Sequence, residues 1–171
     1  TGTESIYHGG PPLAAGIPAT YIERYVDLVQ IAQANLSSLI FDGVFERFSG
    51  LKVVFVEWGF SWLPPLLWRM DRSWYSLRIE VPWVKRWPSE YVEQQVRFTT
   101  QPIDEPRREG DLEALIGLMS DEVLLFSTDY PHWDNDMPGS VLQTLPEATR
   151  RKIFADNARA LFKLDERDFA R

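Results

Sequence analysis

Residues 126–136, FSTDYPHWDND, place Asp129, His132, Asp134 and Asp136 within eight positions, directly after the apolar run Val123–Phe126. A carboxylate at the end of a buried strand has two chemical uses. It can ligate a metal ion, which keeps it ionised, or it can serve as a general base with a raised pKa. In a mononuclear hydrolytic site one carboxylate does both, holding the metal and taking a proton from metal-bound water. The plain alternative for Asp129 is a turn cap, since Asp-Tyr-Pro is a good turn sequence. His132, three residues on, tips the balance towards a site, where it would orient the carboxylate or hydrogen-bond a substrate. Asp134 and Asp136 read as turn starters.

Two other strand ends carry polar groups. Glu57 closes LKVVFVE, and Thr100 and Gln101 close VRFTTQ. Glu57 is a second metal-ligand candidate; its alternative is a salt bridge to Arg69 or Arg72. His8 sits in a Gly/Pro-rich stretch and reads as a rim residue. Neither a Gly-rich phosphate loop nor a G-x-S-x-G nucleophile elbow occurs. The chain has no cysteine, which removes thiolate nucleophiles, disulfides and zinc–cysteine sites.

The elements that must position these groups are legible in the pattern. Residues 1–19 read as a loop. Thr20 and Glu23 form a capping box at the head of a helix whose apolar face is Tyr21, Tyr25, Leu28, Ala32, Leu36 and Leu39, with Gly43 as its stop. Residues 51–57 are a continuous apolar run, expected as a strand buried on both faces. Pro64 and Pro65 suit the first turn of a helix bearing Leu66, Leu67, Met70, Trp74 and Leu77. A proline-broken connection with a short helix near 88–94 leads to a strand at 96–100. Asp111 is the expected N-cap of the next helix, 121–129 the third strand, and Thr144 with Glu147 a capping box for the last helical region.

This alternation predicts a parallel α/β sheet with right-handed crossovers. A closed (β/α)8 barrel takes about 250 residues. The 171 residues here supply strands at that spacing but stop at three. The expected fold is therefore the C-terminal portion of a TIM barrel over residues 1–171, incomplete by itself. The remaining strands would come from an N-terminal half or another subunit.

The net charge is −7 and the basic residues are scattered, which argues against a nucleic-acid partner. No run approaches the roughly 18 apolar residues of a membrane span. A signal peptide is not evident in the first ten residues, so a cytoplasmic location is expected. All seven tryptophans fall between Trp58 and Trp133, a pattern expected of core combined with a subunit interface.

The segments LKVVFVEWGFSWLPPLLWRMDRSW, EVPWVKRWPSEYVEQQVRFTTQPIDEP, LLFSTDYPHWDND and KIFADNARALFKL, in that order, resemble the C-terminal half of amidohydrolase-related proteins. These form the metal-dependent barrel branch that includes aromatic-acid decarboxylases and related hydrolases. The resemblance implies that Asp129 is the aspartate after the eighth strand, a metal ligand and proton acceptor. It implies that Glu57 stands where better-known members carry a ligand histidine. The first-strand histidine motif is absent, and the fifth-strand ligand histidine would fall just before Thr1; His8 does not match it. A divalent metal ion (Zn, Mn or Fe) on Asp129 and Glu57 is expected, since oxygen ligands suit such cations. Asp129 and His132 are the expected catalytic pair, with Trp58 and Trp133 walling the pocket of a small carboxylate or amide substrate that is hydrolysed or decarboxylated. The isolated chain is expected to be inactive and to form a homo-oligomer. The alternative is a non-catalytic truncated or partner subunit that folds only with an N-terminal half.

Overall fold

The computed structural model describes residues 18–165. The loop expected over 1–19, His8 included, lies almost wholly outside the described residues. The order is α1 (Tyr21–Asp27), α2 (Val29–Phe41), α3 (Val44–Arg47), β1 (Val53–Phe55), α4 (Leu63–Leu77), α5 (Pro88–Gln95), β2 (Val96–Thr99), α6 (Asp111–Ile116), β3 (Leu124–Leu125), α7 (Glu147–Arg151) and α8 (Asn157–Phe162).

The three strands form one sheet in the order β1-β2-β3, all parallel, with Phe55 opposite Phe98 and Phe98 opposite Leu124. Strand alternation puts these three side chains on one face, where Phe55 stacks on Phe98 at 5.3 Å and Trp62 meets Phe98 edge-on at 5.6 Å. Val96, Phe98 and Leu124 are wholly buried there, beside Leu63, Val92 and Ile153 from the helices. The expected parallel α/β fold with three strands is what forms.

Several local expectations are corrected. The single helix over 20–43 divides at Leu28, and Gly43 adopts a left-handed φ of 73° that starts α3. A Cβ at Gly43 would press on the Trp83 ring, so glycine is favoured there for two reasons. Thr20 Oγ1 accepts the Glu23 amide at 3.2 Å, but the Glu23 carboxylate reaches back to the amide of Ala19, not of Thr20. Gly110, not Asp111, is the N-cap of α6, and Pro146 replaces the expected Thr144 box at α7. Residues 51–57 give a strand of only three residues that is half-buried at Val53 and Val54, because β1 is paired on one side alone among the described residues.

The third strand shrinks most. Of residues 121–129 only Leu124 and Leu125 belong to the strand, preceded by a 3-10 turn at Asp121–Val123. Side chains and a widened helix substitute for ladder bonds. Asn157, almost fully buried, donates Nδ2 to Leu124 O at 2.8 Å and to Asp121 O at 2.7 Å. The last helix passes through a π turn at Lys152–Asp156, and Ile153 O, inside that turn, accepts the Phe126 amide at 3.0 Å. Phe126 then stacks on Phe154 at 4.2 Å. Asn157→Leu would orphan two carbonyls, one of them deeply buried. It is expected to destabilise the full-length protein by about 1–3 kcal/mol in urea unfolding; unchanged stability would show that β3 is not held this way.

Candidate functional site

The C-terminal ends of the strands converge through threonines. Thr99 Oγ1 accepts the Glu57 amide at 3.1 Å, and Thr100 Oγ1 accepts the Ser127 amide at 3.3 Å. Thr100 is itself buried and its amide donates to Leu125 O at 2.8 Å. These bonds fix the level at which each strand leaves the sheet, and hence where Glu57, Gln101 and Asp129 emerge.

Two of those exits are strained. Glu57 has φ 65° and Asp129 φ 52°, the left-handed region that costs a non-glycine residue about 1–2 kcal/mol. Both are the strand-end acids singled out in the sequence. Strain of this kind persists where surrounding structure imposes it, and it concentrates at functional positions.

Beyond Asp129 the chain folds into a tight turn, with His132 N donating to Asp129 O at 2.8 Å and Asp136 N to Thr128 O at 3.0 Å. The turn brings three side chains together. His132 Nδ1 lies 3.0 Å from Asp129 Oδ2 and 3.4 Å from Asp134 Oδ1. One potential ligand atom from each of Asp129, His132 and Asp134 falls within 4.8 Å of the others. Donors around a small octahedral cation stand about 3–4.5 Å apart, given metal–oxygen distances near 2.1 Å. The three side chains are a group that could hold a divalent ion.

Asp134 is the least exposed of the three, with 11% of its side chain open against 64% for His132. Its Oδ2 accepts from Tyr25 Oη and, at 3.2 Å, from Gln101 Nε2. Its Oδ1 is buried and makes no hydrogen bond. Gln101 is buried too, and its Oε1 likewise lacks a partner. Tyr25 packs against Trp133 at 5.3 Å, and burial, then donation to Asp134, pushes its hydroxyl well above the usual phenol range, so it stays a donor. Asp136, read as a turn starter, is buried and accepts the Ile103 amide at 3.0 Å; burial raises its pKa.

Asp129 and His132 are thus brought together as expected, and Asp134 joins them. Glu57 is not in that cluster. It is exposed, makes no side-chain bond to Arg69, Arg72 or any other described residue, and lines an adjoining cavity of about 350 Å³ with Tyr25, Trp58, Ser61, Trp62 and Asp104. Trp58 walls this cavity as expected, whereas Trp133 packs on Tyr25 at the cluster.

A parallel α/β sheet with acids at the carboxyl ends of its strands defines a partial barrel of the kind that carries hydrolases and lyases. A family model described as Amidohydrolase matches residues 15–164, and the chain belongs to that family. Among curated proteins it is 32% identical over 133 residues to a gamma-resorcylate decarboxylase of Rhizobium radiobacter, covering 75% of this chain and 39% of that one. It is 30% identical over 131 residues to the gamma-resorcylate decarboxylase of Polaromonas sp., with 74% and 39% coverage. Among solved structures, an amidohydrolase of Mycobacterium avium subsp. paratuberculosis shares the fold with a TM-score of 0.69 at 24% identity, over 95% of this chain and 39% of that one. A dihydroxybenzoic acid decarboxylase of Polaromonas sp., solved with manganese and 2-nitroresorcinol, matches with a TM-score of 0.58 at 26% identity, over 94% and 46%. The chain therefore spans about two fifths of the length of these curated relatives, as a partial barrel does.

The strain at Glu57 makes a prediction. Glycine relieves the left-handed cost but adds about 0.5–1 kcal/mol of chain entropy. Glu57→Gly is expected to leave the full-length protein up to about 1 kcal/mol more stable in urea unfolding. A clear loss of stability would mean that the glutamate side chain supports the fold and is not held there for chemistry.

Proposed function

We propose that this chain supplies part of the active site of a metal-dependent decarboxylase acting on a small aromatic carboxylate. The observation that carries the reading is the Asp129–His132–Asp134 cluster at the end of β3. The relatives named as decarboxylases, and the manganese bound in one of them, support lyase chemistry over hydrolysis.

Asp129, His132 and Asp134 are the residues that would hold a divalent ion, manganese by the relative's example, while Glu57 stands apart at the end of β1, on the adjoining cavity. When bound, such an ion supplies positive charge that orients a substrate carboxylate or phenolic oxygen and offsets charge developing on it. Decarboxylation breaks the bond between the ring carbon and the carboxylate, releases CO2 and leaves the bonding electrons on that carbon. One proton must be delivered there. Asp129 would take that proton from a water molecule and deliver it to the ring carbon, leaving hydroxide that combines with the released CO2 as bicarbonate; its Oδ2 lies 3.0 Å from His132 Nδ1. His132, open to the rim, fixes the substrate's polar group. The aromatic cavity beside Glu57 has room and walls for a ring.

The test is CO2 release from hydroxybenzoates, gamma-resorcylate first, by the manganese-loaded full-length protein that carries this chain. Asp129→Asn keeps a residue tolerant of left-handed φ. It is expected to lower kcat about a thousandfold with the fold intact. Unchanged turnover in that variant would remove Asp129 from the mechanism, and hydrolysis of amides without any decarboxylation would replace the reaction class.

A further inference from the structure

The cavity of about 350 Å³ at the end of β1 has side-chain donors on its walls that are already committed. Tyr25 Oη donates to Asp134, Ser61 Oγ to Asp104 Oδ2, and Trp62 Nε1 to Trp58 O at 2.9 Å. With those polar atoms engaged, Tyr25 and Trp62 offer the cavity ring surface, and Trp58 adds a third ring. The charged groups on the lining are two carboxylates, Glu57 and Asp104, and no lining residue is basic. Among the described residues neither acid has an ion-pair partner, and Ser61 occupies only one oxygen of Asp104. The pair is held in place by the backbone. Gly59 N donates to Gln101 O at 3.4 Å, and a Cβ on Gly59 would stand 2.8 Å from Pro102 O and 3.7 Å from Asp104 Oδ2. The chain leaving β1 is thus packed directly on the segment that carries Asp104.

We propose that this cavity is a subsite for an organic ammonium group: the nitrogen pairs with Glu57, supported by Asp104, and its carbon frame lies on Trp58, Trp62 and Tyr25. Aromatic walls with a carboxylate beside them attract an organic cation in two ways, through the ring quadrupole and through charge. The ring surface also takes up the apolar part of the ligand, which a bare metal cation lacks. A ligand carboxylate meets like charge here and finds no basic side chain on the lining to answer it. The inference deepens the decarboxylase reading and rests on it for one point, that the ring of an aromatic acid lies in this cavity. The acid then carries a protonated amine besides the carboxylate that it loses.

The experiment is isothermal titration calorimetry of the full-length protein at neutral pH with probes that share one ring: benzylammonium, benzyl alcohol and phenylacetate. The wild type is expected to bind benzylammonium about five- to tenfold more tightly than benzyl alcohol. Excess phenylacetate is expected not to displace it. Glu57→Gln keeps the side-chain length, removes the charge and is expected to erase the preference for the ammonium. Glu109→Gln makes the same change of net charge at an exposed acid outside the lining and is expected to leave the preference intact. Circular dichroism checks the fold of both variants, and the ranking of probes on the wild type decides the matter even where a variant is unstable. Equal binding of benzylammonium and benzyl alcohol, no binding of benzylammonium, its displacement by phenylacetate, or a preference that survives in folded Glu57→Gln would each overturn the proposal. Failure of the decarboxylase reading looks different: no aromatic acid loses CO2, while the ranking of the probes stands.

Discussion

A carboxylate shut away from water is costly unless something answers its charge, and Asp134 is the group on which this site turns. One of its oxygens is satisfied by Tyr25 and Gln101; the other is buried, makes no hydrogen bond and lies 3.4 Å from His132 Nδ1. The opposing Asp129 carboxylate is three-quarters buried, with 24% of its side chain exposed. Both carboxylates converge on one imidazole nitrogen, His132 Nδ1, at 3.0 and 3.4 Å. The three side chains together are the group that could hold a divalent ion.

The fold serves that arrangement by fixing where strands end rather than by making them long. β1 has three residues and β3 has two. Thr99 and Thr100 tie the exits of neighbouring strands with their hydroxyls, and Asn157 and the π turn at Lys152–Asp156 hold β3 from its far side. The exits themselves are left-handed at Glu57 and Asp129, so the backbone strain sits where the acidic side chains leave the sheet. In a parallel barrel this is the end at which chemistry is built. The two acids project from β1 and β3, which flank β2, so roughly 10 Å of sheet lies between them.

The closeness of Asp129 and His132 was legible in the sequence, because a polar group after a dense apolar run is conspicuous by type alone; Glu57, expected to share a metal with Asp129, stands apart from that cluster at the end of β1. The helical faces of α2 and α4 were legible from their period. Asp134 was not, because Asp-Asn-Asp after a histidine reads as turn chemistry; only the closure of α1 onto that turn buries it. Tyr25 looked like one more member of an apolar stripe, since a tyrosine's hydroxyl partner cannot be read from helical spacing. The length of β3 was overestimated because LLFST has strand composition throughout, while two residues of ladder suffice once Asn157 and Ile153 take over its carbonyl and amide partners. Buried polar partners drawn from distant segments are the part that local pattern leaves out.

The central claim is most directly met by anomalous diffraction at the manganese edge from crystals of the full-length protein grown with Mn2+. The account predicts a single strong peak about 2–2.5 Å from an oxygen of Asp129 and from Asp134 Oδ1. A peak away from both, or an Asp134 Oδ1 answered by a protein donor with no ion beside it, would contradict it.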